Sequence, residues 1–91
     1  MLFIVIEHFE NQNAKAVYQR AQERGRMLPA GLEYIDSWAE ATYDRCFQLM
    51  QSNDPNLFQD WTAQWQDLVE FEIVPVMTSA EAKAIALDPQ R

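Results

Sequence analysis

The chain has 91 residues, 48% of them hydrophobic and 12% aromatic, with one cysteine and a net charge of -7 from 7 Lys and Arg against 14 Asp and Glu. That length supports one domain, residues 1–91, with a modest core, and the acidic balance is a poor match to a phosphate backbone or an anionic bilayer. Neither nucleic acid nor membrane is therefore expected as a partner, and no stretch reaches the roughly twenty apolar residues that span a bilayer.

A lone cysteine, Cys46, cannot form an internal disulfide and suits a reducing cytoplasm, the expected location. The apolar start, Met1 to Ile6, lacks a basic leading region, is too short for a signal peptide's apolar segment and runs into Glu7-His8. Leu2 to Glu7 is instead apolar on both alternating faces, the pattern of a central strand covered on both sides.

Asn13 is placed to cap a helix in which Ala14, Val17, Tyr18, Ala21, Gly25 and Leu28 share one face, and Pro29-Ala30-Gly31 ends it. Leu32 to Glu40 reads as an edge strand, with Tyr34, Asp36 and Trp38 on one side and Glu33, Ile35, Ser37 and Ala39 on the other. A short loop, Ala41 to Asp44, returns the chain into the apolar run Arg45 to Met50, a second central strand.

Asp54-Pro55 predicts a capped helix start, followed by Leu57, Phe58, Trp61, Trp65 and Leu68 on one face. Val69 to Val76 alternates as an edge strand with Pro75 near its end. Thr78 and Glu81 form a capping box that opens a short C-terminal helix and tail over 78–91.

The order strand, helix, strand, strand, helix, strand predicts an α+β, ferredoxin-like fold: a four-stranded antiparallel sheet of spatial order 4-1-3-2 with two helices on one face. Assigning the more apolar set of each strand to the helices makes Leu2, Ile4, Ile6, Ile35, Phe47, Leu49, Val69, Phe71 and Ile73 the core. The opposite face then carries Phe3, Val5, Glu7, Tyr34, Asp36, Trp38, Cys46, Gln48, Met50, Glu72, Val74 and Val76, too apolar a mixture to be left in water. A second copy of the chain is the expected cover, with a space enclosed between two sheets.

Glu7, the Glu23-Arg24-Gly25-Arg26-Met27-Leu28-Pro29 stretch, Asp36-Ser37-Trp38, Arg45 to Met50 and Phe71 to Val76 together resemble a family of small bacterial proteins of unknown function. That family is placed in the dimeric α/β-barrel superfamily, so the resemblance implies the fold and a homodimer. Similar barrels hold cofactor-free monooxygenases, isomerases, haem-handling enzymes and ligand-sensing domains, so the resemblance leaves chemistry open.

Glu7 is the expected catalytic residue, a carboxylate on a central strand that desolvation can turn into a general base. The competing reading pairs it with an arginine or with water, since structural ion pairs perturb carboxylates as readily. Tyr34, Asp36, Trp38, Gln48, Met50 and Glu72 are the expected ligand-binding residues: aromatic walls from Tyr34 and Trp38, and a polar contact from Gln48. Equally, those aromatics suit a homodimer interface.

His8 should face away from Glu7, and with no HExxH, CxxC or His–carboxylate cluster no metal site is expected. No cofactor is expected either. Cys46 has no cation on its own face to make it a reactive thiolate, and Arg20, Arg24, Arg26 and Lys15 read either as an anion site or as a solvated face with pairs such as Arg20 with Glu23.

The expectation is thus a cytoplasmic homodimer holding a small, partly apolar molecule between its sheets, its enzymatic version a cofactor-free oxygenation or isomerisation using Glu7. The alternative is a non-enzymatic interaction or scaffold module whose interface is filled by side chains. Whether it is an enzyme stays open on the sequence.

Overall fold

A computed structural model describes residues 1–90. Its elements are β1 (Leu2–Phe9), α1 (Ala14–Arg24), β2 (Glu33–Ala39), β3 (Arg45–Gln51), α2 (Leu57–Thr62), β4 (Val69–Val76) and α3 (Ser79–Ala86), with one 3-10 turn after β1. The strands form one antiparallel sheet in the order β2-β3-β1-β4, the expected order read from its other edge. The architecture is α+β, and among the described residues no helix is long and apolar enough to cross a membrane.

The two most apolar strands take the centre, β1 lying between β3 and β4 with Val5 opposite Gln48 on one side and Ile73 on the other. Glu40 and Arg45 close the β2–β3 hairpin through an ion pair at 2.6 Å and a backbone bond from Glu40 N to Arg45 O. α1 stops at Gly25, whose backbone lies at φ 68°, a conformation that suits the missing Cβ. Asn13 holds the cap position of α1, but its side chain makes no capping bond.

α2 is shorter than its apolar face predicts. Asp54 accepts from the Asn56 N–H, two residues on, and the helix proper begins only at Leu57. Beyond Thr62 the chain tightens into turns, with Trp65 N bonding Thr62 O and Leu68 N bonding Trp65 O, which still keeps Trp61 and Trp65 on the buried side.

The core contains Phe3, Val5 and Phe9 from β1, Met50 from β3, Val69 from β4, Val17 from α1, Phe58 and Trp61 from α2, and Leu32 and Trp65. The predicted facing of β1 and β3 is therefore inverted. Along β1, Phe3, Val5, Glu7 and Phe9 are buried while Leu2, Ile4, Ile6 and His8 are only partly so, and along β3 it is Gln48 and Met50 that are buried, not Phe47 and Leu49. Both sets of β1 are apolar enough to be core, so a period of two cannot orient it. Only in β4 do Val69, Phe71 and Ile73 pack against the core as expected.

In β2 the alternation itself breaks. The pairing with β3 slips between Tyr34 and Asp36, leaving Ile35 as an extra residue, so Tyr34 sits opposite Met50 and Ser37 opposite Gln48 while Trp38 sits opposite Phe47. Tyr34 thus joins the helix-covered side, and its hydroxyl bonds the Ser37 hydroxyl at 2.6 Å.

α3 opens on the expected capping box: the Thr78 side chain accepts from Glu81 N at 3.1 Å. Every residue of α3 is exposed, so this cap has no buried face to reinforce it. Thr78→Ala should remove about 1 kcal/mol of helix stability. Amide exchange should then accelerate across α3 and stay unchanged in β1; unchanged exchange in α3 would contradict the cap's role.

Candidate functional site

A cavity of about 230 Å³ lies inside the fold, between the helix-covered face of the sheet and the α1 and α2 segments. Glu7 and Phe9 from β1, Cys46 and Gln48 from β3, and Ser37 and Ala39 from β2 form its floor. Val17, Tyr18 and Ala21 of α1, the Gly25–Arg26 turn, and Trp61 and Trp65 make the walls.

Glu7 is central to it and only 4% exposed. The register puts Cys46 opposite Glu7 and Gln48 diagonal to it on the same face, and the Gln48 amide Nε2 donates to Glu7 Oε1. Removal from water raises the Glu7 pKa above the ordinary 4.5, a shift opposed by the Gln48 hydrogen bond and by the positive charge of Arg26. The carboxyl is thereby moved toward the range in which a proton can be both held and released near neutral pH.

Gln48 is 8% exposed, and among the described residues its Oε1 has no hydrogen-bond partner. Buried side-chain oxygens are seldom left so. Burial and the neighbouring Glu7 push the Cys46 thiol up to about 11, so it stays a neutral lining group and a poor nucleophile. Tyr18, partly desolvated and close to Cys46 and Glu7, also has its pKa raised.

At the rim, Arg26 is fixed twice. Its carbonyl accepts from the indole N–H of Trp61 at 2.9 Å and of Trp65 at 3.2 Å, and its guanidinium lies 3.5 Å from the centre of the Tyr34 ring. The flanking backbone is left-handed at Gly25 and again at Met27, φ 58°. Arg20 is used elsewhere, bonding both carboxylate oxygens of Asp67 at 2.7 Å, not Glu23. The basic cluster is therefore divided: Arg20 pairs with Asp67, and of its four members Arg26 alone lines the cavity.

The predicted site residues are also divided. Glu7, Gln48, Met50 and Tyr34 lie on the helix-covered side, with Glu7 and Gln48 lining the cavity and Met50 wholly buried in the core. Asp36 and Trp38 lie on the uncovered face beside Leu49 and Phe47, and Glu72 lies opposite Ile6 on that same face. Those three do not meet the Glu7 group.

No local pattern in the sequence singles out Ser37, Tyr18, Phe9, Trp61 and Trp65 as lining residues. Spacing alone marked the two tryptophans as sharing a face; nothing local marked Arg26 as their acceptor. Among the described residues no group of three or more His, Cys, Asp and Glu could hold a metal ion.

Residues 1–89 match DUF3303, a domain of unknown function. The chain belongs to this family. Comparison with curated proteins and with solved structures gives no match. The DUF3303 match spans both the Glu7–Gln48 pair and the Arg26 rim, so the whole cavity lies within the family domain.

Proposed function

We propose that this DUF3303 protein binds a small, partly apolar molecule in the cavity beneath α1, with Glu7 as the group that takes and returns a proton. The observation that carries this reading is the pair Glu7 and Gln48, buried yet lining open space, one with a raised pKa and the other with an unpartnered oxygen. A purely structural pair would be expected to have its remaining polar atoms satisfied. No metal or redox group is needed for a proton shift between two carbons, or between carbon and oxygen, of a bound molecule.

The fold is read as ferredoxin-like, and the working form as a homodimer joined through the uncovered face of the sheet. Support comes from the stripe Trp38, Phe47 and Ile6 and its neighbours Leu49, Ile4 and Val74, which the register places side by side with no helix over them. Trp38 is 53% exposed there, and a twofold axis would let one stripe cover another. The interaction-module reading draws on this same stripe, but it gives no role to the desolvated Glu7.

Native mass spectrometry on protein purified from its own host tests both parts. The expected result is a dimer carrying a retained small molecule. A monomer would overturn the face-to-face reading, and a dimer that stays empty in every preparation would favour the interaction module.

A further inference from the structure

The cavity's polar groups are few and their open valences can be counted. Gln48 has one end of its amide on Glu7 and the other end free, while a protonated Glu7 has one oxygen accepting from Gln48 and one O–H to give. With Glu7 protonated, this pair offers one acceptor, Gln48 Oε1, and one donor, Glu7 O–H, next to each other. Turning the amide over changes nothing essential: Glu7 O–H would then give to Gln48 Oε1, leaving the Gln48 NH2 as donor and the other Glu7 oxygen as acceptor.

Around this pair the walls are mostly apolar: of the other polar groups, the Ser37 hydroxyl is bonded to that of Tyr34, the Arg26 guanidinium lies on the Tyr34 ring, and the Tyr18 hydroxyl belongs to a half-exposed side chain. Trp61, Trp65, Phe9, Val17 and Ala21 supply the apolar walls, and the thiol of Cys46 stays protonated. A buried anion would find its one cation, Arg26, at the rim and already stacked on the Tyr34 ring, and a buried cation would need Glu7 ionised against its desolvation. As for size, a cavity of roughly 150 Å³ admits benzene, so about 230 Å³ takes a single ring with a substituent.

Resting on the ligand-binding reading above, we infer that the ligand is a neutral, ring-sized molecule with an adjacent hydrogen-bond donor and acceptor, such as a primary carboxamide or a lactam. Its N–H donates to Gln48 Oε1, its carbonyl accepts from the Glu7 O–H, and its apolar body lies against the indoles of Trp61 and Trp65. A ligand ammonium would need Glu7 ionised against its desolvation and would approach past the Arg26 guanidinium. A ligand carboxylate could accept from Glu7 but would set its second oxygen against Gln48 Oε1, acceptor against acceptor.

The charged and titratable groups facing Glu7 are Cys46 from β3, Tyr18 from α1 and Arg26 from the turn after α1. Across β4 its register partner is Phe71, which has no charge. Binding of a neutral donor–acceptor ligand should thus weaken as pH rises through the Glu7 titration, because the donor is lost.

Three probes of one shape separate the cases: benzamide, benzoate and benzylamine, added to 15N-labelled protein at about pH 6, where the last two are charged. The readout is the indole N–H signals of Trp61 and Trp65, which line the cavity, with Trp38 on the opposite face as internal reference. Benzamide should shift the first two saturably and leave Trp38 still, the two ions should bind roughly tenfold or more weakly, and Gln48→Met should cost benzamide a similar factor. Preference for benzylamine or benzoate would overturn the neutral class while leaving the cavity reading in place. If no probe moves the Trp61 and Trp65 signals, the cavity reading falls with it.

Discussion

Trp61→Ala should destabilise the fold by about 3–5 kcal/mol, a large part of the roughly 5–15 kcal/mol that holds a domain of this kind together. Trp61 is almost wholly buried, packs against Phe58 and Phe71 at ring-centre distances of 6.5 and 5.4 Å, and donates to the Arg26 carbonyl. Truncation opens a void beside an existing cavity and leaves that carbonyl with Trp65 alone. Urea unfolding should show a much lower midpoint with an unchanged slope. Trp38→Ala provides the contrast: at concentrations too low for association it should stay within about 0.5 kcal/mol of the parent. Equal losses from the two substitutions would refute the facing assigned to the sheet.

Glu7→Gln should change how stability depends on pH. The folded carboxyl has its pKa raised above 4.5 chiefly by burial, so between that value and the folded pKa the native state holds a proton that the unfolded chain has released. Stability associated with Glu7 is therefore complete below the ordinary carboxylate range and lost as pH rises through the folded pKa. Gln cannot ionise, so the variant should gain on the parent across that window and keep a constant advantage above it. Asp67 and Glu40 act with the opposite sign, since Arg20 and Arg45 hold their pKa values low, but they are common to both proteins and cancel in the difference. A difference between parent and variant that does not vary with pH, followed by urea midpoints across the titration, would show that Glu7 is not desolvated.

The element order, the strand order, the bounds of β4 and the Thr78–Glu81 cap were all legible, because each depends on residues close in sequence or on a strong contrast in polarity. Facing was not legible. Leu2, Ile4 and Ile6 outscore Phe3, Val5 and Glu7 in apolar character, and burying Glu7 and Gln48 runs against the rule that assigns the polar set to water. That rule fails where the cavity lies, which is where local and global preferences are expected to part at a working site. The Ile35 bulge carries no signal beyond a β-branched residue in an edge strand, yet it decides that Tyr34 meets Arg26 and Ser37 while Trp38 does not. The bond from two indoles to one carbonyl joins residues 35 and 39 positions apart, a distance no local pattern reaches.

The two borders of the sheet also limit how copies of this chain can polymerise. An unpaired strand border is a template for another strand and, repeated, for fibrils. Here β4 has a proline next to its end, Pro75, that cannot donate to an incoming backbone, and it carries Glu70 and Glu72 along its length, while β2 is put out of step by Ile35. Growth by adding strands at either border is disfavoured by the same residues that shape the sheet. The proposed pairing through the uncovered face would then be closed, with no route from it to open-ended assembly.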